Sequence, residues 1–366
     1  MGERSGVWGE AAAFLQETVA SVEDVVDARW RRLRLRLGWT GRPAVMPYGG
    51  YANGTTAWVR GRVLTNRPPR GPQEDDGWWA NLAAMYQRLE SDEVPDARVA
   101  VTLGGETHAV LSDAEGYVTL ECPDPGPEGR GPWITGSMRV VSSPEGPGDG
   151  AAALVRVMTP SPEAAFGIIS DVDDTVIQTD AANVLSMARH TFFHNARTRS
   201  PLEGAAAWYR AMHERPGGAD NPVFYVSSSP WNLHDLLEDF LDLNGFPAGP
   251  LMLRDLGIGA ADGPALGHGH KLDKALKILD AFPRLPFVLV GDSGQEDSRL
   301  YAEAAERRPG RVLASFIRDV DPDLASHRDD GVAAAAERSA AAGTPMHLVA
   351  DSDGAAEIAR GLGLMS

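Results

Sequence analysis

Three carboxylates fall within four residues, at Asp171, Asp173 and Asp174, directly after the apolar run of Phe166, Ile168 and Ile169. Anions crowded this closely repel one another unless positive charge is held among them, so the spacing implies a divalent cation. The plainer alternative is an acidic turn between a strand and a helix. A short apolar run closed by polar residues has the pattern of a buried strand whose tip meets solvent. In open α/β sheets the carboxyl ends of the strands are where ligands bind. The stretch FGIISDVDDTVIQTD, from Phe166 to Asp180, is therefore the point around which the other candidate residues are placed.

Asp171-Val172-Asp173-Asp174-Thr175 resembles the DxDxT first motif of the haloacid dehalogenase-like phosphohydrolases. The resemblance implies that Asp171 is a nucleophile that becomes phosphorylated and that Asp173 is a general acid/base. Ser227 ends the apolar run Pro222 to Val226, as the second motif requires, and its hydroxyl would bond a phosphoryl oxygen. A serine triplet before Pro230 is also ordinary turn chemistry. Lys271 begins a helix after a loop and matches the third motif; its ammonium would offset the carboxylates and the charge of a transferring phosphoryl group. Asp292 and Asp297, in GDSGQED, match the fourth motif, GDxxxxD. With Asp171 and Asp173 they would complete an oxygen-ligand site for Mg²⁺. Thr175 would orient Asp173, or cap a helix. The nine histidines show no zinc-like spacing.

The wording around these motifs is more specific. SDVDDTV, PLEGAAAWYRAMH, FYVSSSPWNL, HKLDKALKIL, FVLVGDSGQEDSRLYAEA and FIRDV span about Asp171 to Val320. They resemble the phosphatidate phosphatase family related to the fungal actin-patch-associated enzyme. Upstream, PYGGYANG and VRGRVL resemble the region that precedes the catalytic domain in bacterial members. Ser228 departs from the family pattern, which has an asparagine-like residue after the motif serine. The resemblance implies an Mg²⁺-dependent phosphatase that converts phosphatidate to diacylglycerol through an aspartyl-phosphate. In this superfamily short inserts between the motifs go with an open site for a bulky substrate. Arg189, His190, His194, Arg197 and Arg199 lie in the first insert, where they either meet an anionic headgroup or form solvated helix faces. Two alternatives stay open: the same chemistry on a phosphoprotein or soluble phosphate ester, and a non-enzymatic lipid- or protein-binding module.

The chain has 366 residues, of which 43% are hydrophobic and 23% charged, enough for two domains with separate cores. A net charge of −17 excludes a dedicated nucleic-acid binder, which needs a basic footprint. Of 34 basic residues only Lys271, Lys274 and Lys277 are lysine. No stretch reaches the roughly 18 to 20 apolar residues of a membrane span. The N-terminus shows no basic region followed by an apolar one, and Gly6 breaks the myristoylation pattern. Cys122, the single cysteine, suits a reducing cytosol, so a cytoplasmic protein is expected, with peripheral contact to membrane as a further expectation.

Residues 1–38 read as an amphipathic segment. Its end, Arg29 to Leu37, carries arginines among Trp30, Leu33, Leu35 and Leu37, and either touches anionic lipid or docks on the body. Residues 39–160 read as a β-sandwich-like domain. Its strands are Thr56 to Leu64, Arg98 to Leu103, Tyr117 to Leu120, Trp133 to Val141 and Ala152 to Met158. Turns are expected at Tyr48 to Tyr51 and at Asn53-Gly54, a hairpin-type connection at Asp113 to Gly116, and a helical insertion at Trp78 to Leu89. Thr159 to Pro162 reads as a linker. From Phe166 strands alternate with helices, so residues 161–366 are expected to form a haloacid dehalogenase-like α/β domain, a mostly parallel sheet with flanking helices.

Overall fold

The computed structural model describes residues 42–65, 93–126, 132–172, 175, 204–215, 218–255, 269–293, 296–320 and 327–365. The N-terminal amphipathic segment, the helical insertion, Asp173 and Asp174, and the arginine- and histidine-bearing insert lie outside these residues.

Seven strands form the first unit: β1 (Ala44–Ala52), β2 (Thr56–Leu64), β3 (Arg98–Leu103), β4 (Glu106–Leu111), β5 (Tyr117–Pro123), β6 (Trp133–Ser142) and β7 (Ala153–Met158). They make one continuous sheet in the order β4-β3-β6-β7-β1-β2-β5, rather than two separate sheets. Every pairing is antiparallel except β1 with β7. Alternate residues such as Val59, Val63, Val99, Val101, Ile134 and Met138 share one core, so one face of the sheet encloses it.

Tyr48 to Tyr51, expected as a turn, lies inside β1. The glycine there marks a β-bulge: the register with β2 shifts between Pro47 and Gly49, and Gly49 has φ 79°, a left-handed conformation that glycine alone adopts freely. The turn expected at Asn53-Gly54 joins β1 to β2, and a second tight hairpin falls at Gly104-Gly105, both at positive φ, between β3 and the unexpected β4. Asp113 to Gly116 links β4 to β5, which are not neighbours in the sheet.

The second unit is a six-stranded sheet: β8 (Gly167–Asp171), β9 (Val223–Pro230), β10 (Leu251–Arg254), β11 (Phe287–Asp292), β12 (Val312–Arg318) and β13 (Met346–Val349). All five pairings are parallel and the order is β10-β9-β8-β11-β12-β13. Residues of β8, β9 and β11 alternate between the two sides. Ile168, Val223, Tyr225, Val288, Val290 and Phe316 enter one core, with helices α1 (Ala205–His213), α2 (His234–Leu243) and, at the far end of the chain, α6 (Ser352–Gly361). Ile169, Phe224, Val226, Phe287 and Leu289 enter the other, with α3 (Gly269–Ala281), α4 (Asp297–Arg307) and α5 (His327–Ala341). A sheet covered on both faces demands strands that are largely apolar, and β8, β9 and β11 are apolar up to their carboxyl ends. The α/β expectation is met, with the alanine-rich stretch forming α5.

Candidate active site

Numbered from β8, the parallel sheet has the order 3-2-1-4-5-6, and the order reverses between β8 and β11. Chain crossovers leave to opposite faces at such a point, opening a crevice at the carboxyl ends of the two central strands. Asp171 is the last residue of β8 and Asp292 the last of β11. Both are fully buried, as is Asp297 at the first position of α4. One oxygen from each of the three carboxylates lies within 4.8 Å of the others.

Lys271, buried near the start of α3, enters this cluster. Its Nζ lies 2.6 Å from Asp171 Oδ1 and 3.0 Å from Asp297 Oδ1. Burial pushes the ammonium pKa down, but Asp171, Asp297 and Asp292 together outweigh it, and the net direction is up. Lys271 is thus held charged. Three carboxylates against one ammonium leave two negative charges in a buried site, and the donors are all hard oxygens. That set fits a divalent cation of the Mg²⁺ type.

Local structure holds these groups in place. Asp297 reaches back under the end of β11 and accepts a hydrogen bond from the Asp292 backbone N–H at 3.3 Å. The approach is possible because residue 291 is glycine: a Cβ there would lie 2.7 Å from Asp297 Oδ2 and 2.8 Å from the Tyr301 ring. The Tyr301 hydroxyl donates to Val290 O at 2.9 Å and fixes α4 against β11. Behind Asp171, Ser170 Oγ donates to the Asp171 carbonyl and lies 2.6 Å from the Tyr209 hydroxyl. Burial raises the Tyr209 pKa, so that hydroxyl stays protonated.

Ser227 is buried on β9, one residue beyond Val226, the register partner of Asp171. The Ser229 backbone N–H donates to Ser227 Oγ at 2.8 Å, which turns the serine's own hydrogen away from that amide. Thr175 is buried and lines a cavity of about 20 Å³ with Trp208, Arg318 and Ser352; its Oγ1 has no hydrogen-bond partner among the described residues. Of the residues singled out in the sequence, Asp171, Lys271, Asp292 and Asp297 are in direct association, and Ser227 stands at the adjacent strand end. Ser170, Tyr209 and Gly291 were missed. GD at positions 291–292 carried the one available signal, since glycine directly before a strand-end acid marks a close approach.

Residues 166–319 match the family model described as the catalytic domain of phosphatidate phosphatase APP1. The chain is 34% identical over 170 residues to phosphatidate phosphatase APP1 of Saccharomyces cerevisiae, covering 45% of this chain and 28% of that protein. It is 31% identical over 160 residues to an uncharacterised Schizosaccharomyces pombe protein, covering 43% and 26% respectively. The chain therefore spans little more than a quarter of the length of these two relatives. A carbohydrate acetylesterase from Xanthomonas citri superposes with 12% identity and a TM-score of 0.28, over 85% of this chain and 68% of that one, too poor a fit to bear on the fold. Residues 166–319 are related to the phosphatidate phosphatase APP1 catalytic-domain family.

Proposed function

We propose that this protein is an Mg²⁺-dependent phosphomonoesterase acting on phosphatidate, with a haloacid dehalogenase-like catalytic domain. The observation that carries the reading is the buried association of Lys271 with Asp171 and Asp297, beside Asp292, at the reversal point of the parallel sheet. Asp171, Asp292 and Asp297, joined by Asp173 on the motif resemblance, would hold the cation, whose chemistry when bound is to neutralise charge on phosphoryl oxygens.

A carboxylate of Asp171 attacks phosphorus, forming a P–O bond to the enzyme as the ester P–O bond breaks. Asp173 gives a proton to the departing alkoxide. It then takes one from the water that hydrolyses the aspartyl-phosphate, releasing inorganic phosphate and restoring Asp171. Lys271 stabilises the Asp171 carboxylate before attack and the phosphoryl charge afterwards. A single general acid/base contributes about 10²- to 10⁴-fold, far below what phosphate-ester hydrolysis requires, so the Asp171 nucleophile and the buried Lys271 ammonium must act with it. Ser227 supplies a hydroxyl to a phosphoryl oxygen.

Phosphatidate is favoured by the related yeast enzyme's name and by the short inserts. No helix among the described residues is long and apolar enough to cross a membrane.

Phosphate release from phosphatidate in mixed micelles, with Mg²⁺ or EDTA, tests the reading, alongside a soluble aryl phosphate. Metal-dependent release that prefers the lipid and falls to background in Asp171→Asn is expected. Turnover of the aryl ester alone would keep the chemistry and remove the lipid. Release that persists in Asp171→Asn would remove the covalent mechanism.

A further inference from the structure

β2 alternates between core-facing residues and two arginines on its other face, Arg60 and Arg62. Both reach across to the parallel sheet, and each grips the segment that follows a different strand end. Arg62 is buried; its Nη1 donates to Asn232 Oδ1 at 2.9 Å, its Nε to Glu115 O at 2.8 Å, and its Nη2 pairs with Glu93 at 2.9 Å. Arg60 pairs with Asp255, just past β10, at 2.8 Å, and lies 4.7 Å from the Trp231 ring and 4.4 Å from the Tyr117 ring. A planar guanidinium suits both tasks, since it presents a rigid fork of donors along its edge and a face that stacks on aromatics.

Trp231 and Asn232 stand directly after Pro230, the last residue of β9, five positions or fewer from Ser227. Tyr48 of β1 stacks on Trp231 with ring centroids 4.8 Å apart, and the Tyr48 carbonyl accepts a bond from His234. The segment from Trp231 to His234, which directly follows the strand that carries Ser227, thus rests on the first sheet.

We infer that the seven-stranded sheet is a working wall of the active site, and that Arg62, through Asn232, is a positioning residue for Ser227. The effect on turnover presupposes the phosphomonoesterase activity proposed above; the placement of Ser227 does not. The Ser229 amide, which donates to Ser227 Oγ, reports that placement directly.

Amide hydrogen exchange over residues 226–234 is compared among wild type, Arg62→Met, Asn232→Ala and Arg98→Met, with phosphate release from phosphatidate micelles measured on the same proteins. Arg98 is exposed on β3 of the same sheet and serves as the control. In Arg62→Met and Asn232→Ala, exchange at Ser229 is expected to rise about tenfold or more over the control. The kcat is expected to fall about 10- to 100-fold, the cost of a small misplacement, with KM changing far less. If wild type releases no phosphate, the activity proposal fails while exchange still decides the placement. Exchange indistinguishable from Arg98→Met overturns the inference, as does faster exchange with kcat unchanged. Should Arg62→Met fail to fold, Asn232→Ala, at a half-buried position, carries the same comparison.

Discussion

The two sheets solve the problem of covering their faces differently, and that difference decides which of them holds the chemistry. In the six-stranded sheet both faces are covered, so the central strands β8, β9 and β11 are apolar along their length and their polar groups collect at the ends. Because all the strands are parallel, their carboxyl ends share one edge, and Asp171 and Asp292 meet although they are distant in sequence. In the seven-stranded sheet neighbouring strands mostly run in opposite directions, so successive ends are sent to opposite edges and, among the described residues, gather no such cluster. Its contribution lies on the face opposite its core, where Arg60 and Arg62 reach across to the parallel sheet. One sheet concentrates charge, and the other supplies the surface that braces it.

The sharpest way to break this division is to remove the positive charge from the cluster. Lys271→Met leaves three buried carboxylates without their ammonium. Taking one partner from a buried ionic group costs about 3–5 kcal/mol, because the charge left behind stays desolvated. Urea unfolding in EDTA at neutral pH is expected to show a loss of that size, and phosphate release, assayed separately with Mg²⁺, is expected to be lost. A loss under about 1 kcal/mol would mean that the carboxylates are already protonated or solvated, contrary to the raised pKa of Lys271 that they produce.

Gly291→Ala sharpens the comparison within the parallel sheet alone. The added methyl meets Asp297 and Tyr301, and overpacking of this kind costs about 1–3 kcal/mol. Displacing Asp297 separates it from Lys271 and from the Asp292 amide, so kcat is expected to fall about 10²-fold. Mg²⁺ affinity, measured by titration calorimetry, is expected to fall with it. Full activity with unchanged Mg²⁺ binding would show that Asp297 does not need its present position.

The strand ends were legible in the sequence because their signals are local. Apolar runs closed by Asp171 and by Gly291-Asp292, and a lysine opening a helix, can each be read within a few residues. The bracing was not legible. Arg60 pairs with Asp255 and Arg62 with Asn232 across very long separations, and nothing in TAWVRGRVL distinguishes an arginine that crosses a seam from one that faces water. Ser170 carries no signal of its own in the sequence, because its contact with Tyr209 depends on where α1 packs. β4 escaped because ETHAVL is a largely exposed edge strand with little alternation. Tyr48 to Tyr51 was misread because a glycine pair signals a turn in isolation, whereas here the bulge keeps it in register beside β2.

The seam between the sheets carries its own titrating group. His234 is buried between Tyr48 and Trp231, and its Nε2 lies 3.1 Å from the Tyr48 carbonyl. A carbonyl only accepts, so Nε2 carries the hydrogen in the neutral ring. Burial lowers the pKa from the ordinary 6.5 to about 4, against the opposing effect of the Tyr48 bond, and Glu238 lies 3.9 Å from Nδ1. The ring is therefore neutral in the folded protein at pH values where the unfolded chain already binds a proton. Its contribution to stability is full above about pH 6.5 and falls as the pH drops towards 4. Between pH 8 and pH 5 the loss is about 2 kcal/mol. His234→Gln keeps a donor for Tyr48 but does not titrate. The difference in unfolding free energy between wild type and variant is expected to shrink by that amount as pH is lowered from 8 to 5. Parallel curves would show that His234 is solvated, and with it that the seam between the two sheets is open rather than closed.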